Sequence, residues 1–144
     1  MPTIRCARTY DAPALAQLSG ALGYPATRQQ IVARLAALEA APAHTIFVAE
    51  DAAGRVVGWL HAAQCVLLTE DDGAEVLGLV VAAELRGRGI GAALLRAAEA
   101  WARARGAGYL RVRSRVERDG AHRFYERAGF ARSKTQHVFR QPLG

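Results

Sequence analysis

Three glycines at alternate positions, Gly87, Gly89 and Gly91, stand with Arg86 and Arg88 in the stretch of this chain best suited to chemistry. Absent side chains let a ligand approach the backbone closely, and two guanidinium groups add fixed positive charge. An apolar, β-branched run from Val76 to Val81 precedes the glycines, and Ile90, Leu94, Leu95, Ala98, Trp101 and Ala102 follow at helical spacing. Strand, glycine turn, helix is the order of a phosphate seat, because a helix N-terminus exposes unpaired N–H groups and the positive end of its dipole. A triphosphate loop would need Lys-Ser or Lys-Thr after its glycine, and neither follows any of these glycines. A dinucleotide fingerprint does fit Gly87, Gly89 and Ala92. Its context is missing, since the next expected strand, Tyr109 to Val116, offers arginines where a ribose-binding acid belongs.

A third kind of loop fits better. Arg86-Gly87-Arg88-Gly89-Ile90-Gly91 resembles the Gln/Arg-x-x-Gly-x-Gly/Ala signature of the GCN5-related N-acetyltransferase (GNAT) superfamily. A second block, His122-Arg123-Phe124-Tyr125-Glu126-Arg127-Ala128-Gly129-Phe130, is similar to that family's later helix, which commonly ends in Tyr-Glu-x-x-Gly-Phe. The two blocks stand at the family's usual separation, and the resemblance covers about the whole length.

The resemblance implies an acetyl-coenzyme A-dependent N-acetyltransferase acting on a primary amine, expected to be that of a small molecule. A peptide or protein amine, a catalytically silent GNAT fold and a basic nucleic-acid-binding module are the alternatives. The cofactor's pyrophosphate would take N–H groups from Gly87, Arg88, Gly89, Ile90, Gly91 and Ala92, beside Arg86. In the family, pantetheine amides pair with the preceding strand, here Leu79, Val80 and Val81. Tyr125 is the expected general acid, because a phenol can protonate a thiolate of comparable basicity; a place among core aromatics with Phe124 is the alternative. Glu75, eleven residues before Arg86, is the expected general base. Alternation places it on one face with Leu77, Leu79 and Val81; an exposed strand-end charge, with ordered water as base, is the alternative. Arg118 stands where the family often has a cofactor-contacting asparagine, and the chain has no asparagine at all. In this fold acceptor specificity comes from the first two helices and a later loop. Leu22-Gly23-Tyr24-Pro25 resembles small-molecule acetyltransferases, including some acting on aminoglycosides. Glu70-Asp71-Asp72 would favour a cationic amine.

The 144 residues suit one domain spanning 1–144. No apolar run approaches the length of a membrane span, and the first residues lack a signal peptide's apolar region, so a cytoplasmic protein is expected. The net charge of +6 is almost all arginine, Lys134 being the single lysine. Steering of a polyanionic cosubstrate accounts for it better than nucleic acid, which has no recognised motif here. A symmetric homodimer is the default assembly. Cys6 and Cys65 are expected to be reduced, mostly buried thiols. His44, His61 and His137 have no partner spacing, and no metal is expected.

The elements that must position these groups follow from period and punctuation. A first strand is expected at Thr3 to Thr9. Asp11 would cap a helix carrying Leu15, Leu18 and Leu22, and a Thr27–Gln30 capping box would open a second with Ile31, Leu35 and Leu38. Strands are expected at Thr45 to Glu50 and Val56 to Val66, then the strand of the glycine block, a helix from about Arg88 to Arg105, and the strand Tyr109 to Val116. A short helix, Ala121 to Arg127, would be capped by Asp119, and Phe130 to Ser133 and Thr135 to Arg140 would close as strands. The result is an α/β (α+β) fold, a mixed, mostly antiparallel central sheet of six to seven strands with about four helices. The family resemblance further implies that the neighbouring strands containing Leu79 and Leu110 splay apart.

Overall fold

A computed structural model describes residues 2–144. They form two compact units, one ending at Arg113 and the other spanning Ser114–Gly144.

In the first unit, β1 (Thr3–Cys6), β2 (His44–Glu50), β3 (Val56–Cys65), β4 (Gly73–Val81) and β5 (Leu110–Val112) make one sheet in sequence order. Neighbours are antiparallel except β4 and β5, which run parallel. Helices α1 (Ala12–Ala21) and α2 (Arg28–Glu39) pack together on one face, and α3 (Ile90–Ala104) packs on the other. The mixed, mostly antiparallel sheet with four helices is therefore as expected, with five strands rather than six or seven among the described residues. The core lies on both faces of β3: Val57 and Leu60 are fully buried there, and Leu94 and Leu95 of α3 close the second layer. The Thr27 hydroxyl accepts from Gln30 N–H at 3.1 Å and the Gln30 side chain accepts from Thr27 N–H at 2.9 Å, so the capping box forms as written.

Several boundaries move for physical reasons. Strand β1 stops at Cys6 rather than Thr9, because a single 3-10 turn at Thr9–Asp11 folds the chain back. Asp11 stands at the N-cap of α1 without capping it. Its carboxylate instead accepts from Arg8 N–H at 2.8 Å and from both terminal nitrogens of Arg5 at 2.9 Å, while Arg5 Nε reaches Glu50 on β2. β5 covers three residues rather than eight, and its pairing with β4 ends at Val76↔Val112. Cys6 ends an edge strand and is exposed, and Cys65 is half-buried, so the expectation of buried thiols fails for both.

In the second unit, α4 spans Asp119–Arg127. Arg118, not Asp119, holds the N-cap position, and no side chain caps the helix. Beyond Phe130 no strand forms among the described residues, and Val138, Phe139 and Leu143 are more than 80% exposed. The period-two pattern there is permission without a partner, because a short strand needs a neighbouring edge to hold it.

The Arg5–Asp11–Glu50 cluster ties β1 to β2 and to the start of α1. Burial raises the Asp11 carboxyl, but the Arg5 hydrogen bonds and the Arg8 N–H outweigh it and hold the group below the usual carboxylate range. A carboxyl depressed by folding contributes stability above its unfolded pKa and loses it as pH falls through the folded value. Arg5→Met should cost about 2 kcal/mol or more at neutral pH by stranding a buried carboxylate. The gap in melting temperature from the parent should narrow as pH falls below the ordinary carboxylate range; a constant gap would assign the loss to packing.

Candidate active site

The centre of the site is the place where the sheet stops being continuous. β4 pairs with β5 only at Ala74↔Leu110, Glu75↔Arg111 and Val76↔Val112. From Leu77 to Val81 its outer edge pairs with no strand among the described residues, although its inner edge stays bonded to β3. The ladder to β3 shows why the direction changes: Ala62 faces Val76 and His61 faces Gly78, so Leu77 is an extra residue, a β-bulge. The ladder between the strands containing Leu79 and Leu110 ends at Val76↔Val112, and Leu79, Val80 and Val81 lie on the edge beyond it.

The bulge also corrects a face. Glu75 lies opposite Ala63, Gly78 opposite His61 and Val80 opposite Trp59, and β3 alternates regularly through these positions. Opposed residues share a face, so Glu75 shares its side with Gly78 and Val80, not with Leu79 and Val81. That side is the one covered by α1 and α2, which line a cavity with Trp59, His61 and Gly78.

The freed edge runs directly into the glycine turn. After a short 3-10 turn at Ala83–Leu85, Gly87 has φ +80° and Gly89, the N-cap of α3, has φ +86°. These are left-handed conformations that a side chain would strain, so the turn needs glycine at both places. Ala93 N–H is the first to find a helical carbonyl, that of Gly89, at 3.0 Å. Among the described residues the N–H groups from Gly87 to Ala92 donate to no backbone carbonyl. A Cβ built at Gly87 meets nothing within 4 Å, so the space outside the turn is open. Arg86 and Arg88 are exposed beside it, and Arg86 Nε donates to Val81 O at 3.3 Å. Unmatched donors, open space and two cations fit a pyrophosphate.

At the closed end of the β4–β5 ladder, Glu75 Oε1 accepts from Arg111 Nε at 2.8 Å and Arg113 Nε at 3.3 Å, while its Oε2 has no partner among the described residues. Arg111 also reaches Glu70 at 3.3 Å and the Cys65 Sγ at 3.9 Å. Tyr109 O–H donates to Glu70 at 2.7 Å, and its ring fills the space where a Cβ of Gly73 would stand. Glu70, the first of the three acids, is thus engaged internally and takes no part in lining the cavity.

Two further groups were not foreseen. His44 and His61 are partners after all, with Nδ1 and Nε2 2.9 Å apart, because the β2–β3 register sets Ile46 opposite His61 and His44 one pair further along the same face. Burial first, and the neighbouring His44 second, push the His61 imidazole down to about 4, so it is neutral at physiological pH. The Trp59 ring lies over Gly78, and its Nε1–H is buried without a partner among the described residues. Only a correct cross-strand register could have brought these residues together on paper. Among the described residues, no three His, Cys, Asp or Glu side chains gather as a metal site.

In the second unit, Tyr125 is half-buried, with Phe124 and Phe130 edge-on at ring separations of 5.2 Å and 5.7 Å. Its hydroxyl makes no hydrogen bond within the described residues, and burial raises its pKa above the ordinary phenol value, against a smaller opposing pull from Arg118. His122 Nε2 donates to Arg115 O at 2.7 Å, holding the turn before α4.

Comparison with known proteins agrees with this geometry. The sequence model of the acetyltransferase (GNAT) family matches residues 14–130. An aminoglycoside N(6')-acetyltransferase type 1 from Stenotrophomonas maltophilia is 36% identical over 99% of this chain and 94% of its own length. A putative acetyltransferase from Agrobacterium tumefaciens str. C58 superposes with a TM-score of 0.87 at 30% identity, covering 96% of this chain and 99% of that one. The aminoglycoside antibiotic 6'-N-acetyltransferase AAC(6')-Ih from Acinetobacter baumannii shares the fold at 16% identity, with a TM-score of 0.85 over 100% of both chains.

Gly78 leaves no room for a side chain beneath the indole. A Cβ there would stand 2.8 Å from Trp59 Cη2 and Cζ3, so Gly78→Ala must displace the indole or bend β4. The expected cost is about 1–3 kcal/mol of stability, as for other overpacked sites, with a changed Trp59 emission spectrum; an unchanged melting temperature would show that the indole moves freely.

Proposed function

This chain belongs to the acetyltransferase (GNAT) family, and from that premise we propose that it acetylates the primary amine of a small molecule by direct attack, with Tyr125 as general acid. The observation that carries this reading is the unbroken path from the free edge of β4, Leu77 to Val81, into a turn whose N–H groups donate to no backbone carbonyl among the described residues.

Acetyl-coenzyme A supplies a thioester whose carbonyl carbon accepts the amine and whose sulfur leaves as thiolate. The N–H groups of Gly87 through Ala92, with Arg86 and Arg88, hold the pyrophosphate. The outer edge of Leu79, Val80 and Val81 offers main-chain partners to the amides of the pantetheine arm, as a missing strand would. As the C–N bond forms and the C–S bond breaks, one proton leaves nitrogen and one must reach sulfur. Tyr125 keeps its proton through neutral pH, because burial raises its pKa, and so stands ready as a donor rather than a base. Glu75 shares a face with Gly78 and keeps Oε2 free, which suits it to receive the nitrogen's proton directly or through water.

Saturating acetyl-coenzyme A should stabilise the fold by about 2.7 kcal/mol at a hundredfold excess over its dissociation constant. No thermal shift at millimolar cosubstrate would remove the reading. Tyr125→Phe should lower kcat by about a hundredfold or more while leaving the KM for acetyl-coenzyme A within about threefold. Parent activity should rise with pH through the acceptor's own titration and show no falling limb below about pH 10, the ordinary tyrosine value, because the Tyr125 pKa lies higher.

A further inference from the structure

Between α1, α2 and the sheet, wholly within the first unit, lies a cavity of about 480 Å³. Its size is that of a small-molecule site, and its wall is apolar apart from a few groups. No acidic residue lines it. The one charged lining residue, Arg34, is exposed on α2 and has no ion-pair partner among the described residues. Trp59 lines it too, with its Nε1–H buried away from open space. His61 adds a neutral imidazole. The cavity reaches Leu77 and Gly78, the first residues of β4 beyond its pairing with β5.

We propose that this cavity is the acceptor site, and that it takes a primary amine on an apolar, aryl-sized body carrying one acidic group rather than a polycation. The inference rests on the acetyl-transfer reading above. A polycationic acceptor would bring several ammonium groups against Leu35, Ile46 and Trp59 with no carboxylate to meet them, and unpaired charges are costly to desolvate. The acids that could have served are elsewhere: Glu70 is bound to Tyr109 and Arg111, and neither Asp71 nor Asp72 lines the cavity. An aryl body matches the wall, and the oxygens of an acidic group match the unpaired guanidinium of Arg34. The amine then lies toward Leu77 and Gly78, on the face that carries Glu75. There the acetyl group passes from sulfur to nitrogen, the nitrogen gives up one proton and the thiolate gains one.

The test is thiol release from acetyl-coenzyme A with para-(aminomethyl)benzoate, benzylamine, spermidine and kanamycin as acceptors. The expected order in kcat/KM is para-(aminomethyl)benzoate, then benzylamine, then the two polycations. Arg34→Gln should lower kcat/KM for para-(aminomethyl)benzoate by about tenfold, the loss of one exposed charge-assisted contact, and leave benzylamine unchanged. Faster turnover of kanamycin or spermidine than of both benzylic amines would overturn the inference and leave the transferase reading standing. An equal response of the two benzylic amines to Arg34→Gln would overturn the role of the acidic group. Failure of every acceptor would overturn the inference as well, and the presence or absence of a thermal shift with acetyl-coenzyme A would then decide whether the transferase reading had failed with it.

Discussion

A β-strand that loses its neighbour halfway along must leave main-chain donors and acceptors without partners, and the rest of this structure is arranged around that constraint. β4 is the fourth strand of a continuous antiparallel sheet on one side, yet on the other it is paired for three residues and then open. Unpaired backbone groups in a protein interior are costly unless water or a ligand meets them. The bulge at Leu77 turns the strand at the point of parting, and the glycine turn carries the row of unmet N–H groups on into the first turn of α3.

Both ends of the open segment are anchored by contacts that do not depend on it. At the paired end, Glu75 is held by Arg111 and Arg113 across the parallel ladder, and Arg111 is held in turn by Glu70. At the other end, Ala82 N–H bonds Val57 O at 2.8 Å, and Ile90, Leu94 and Leu95 bury the start of α3 against the sheet. The opening is therefore a stable feature of the fold, with its backbone already extended.

Local signals in the sequence were the legible ones. The Thr27–Gln30 capping box, the apolar stripe of α3 and the glycine turn each depend on residues a few positions apart, and each formed as read. The side of Glu75 was misread because Val76, Leu77 and Gly78 show no sign that one of them is extra; the bulge exists only in the register against Ala62 and His61. The same register hid the His44–His61 pair and the seat of Trp59 over Gly78. What explains Gly73 and Gly78 is the ring that occupies each one's missing Cβ, Tyr109 for the first and Trp59 for the second. The two strands expected after Phe130 fit a pattern, but a pattern cannot supply the edge that a strand must join.

The two left-handed glycines of the turn have a kinetic meaning. Because Gly87 and Gly89 already hold the curled backbone, its conformational entropy is surrendered during folding and not when a ligand arrives. An anion reaching this turn meets donors already aligned. Its rate of capture is then set by encounter in the field of Arg86 and Arg88, and salt in the medium, rather than any rearrangement of the chain, governs how fast it arrives.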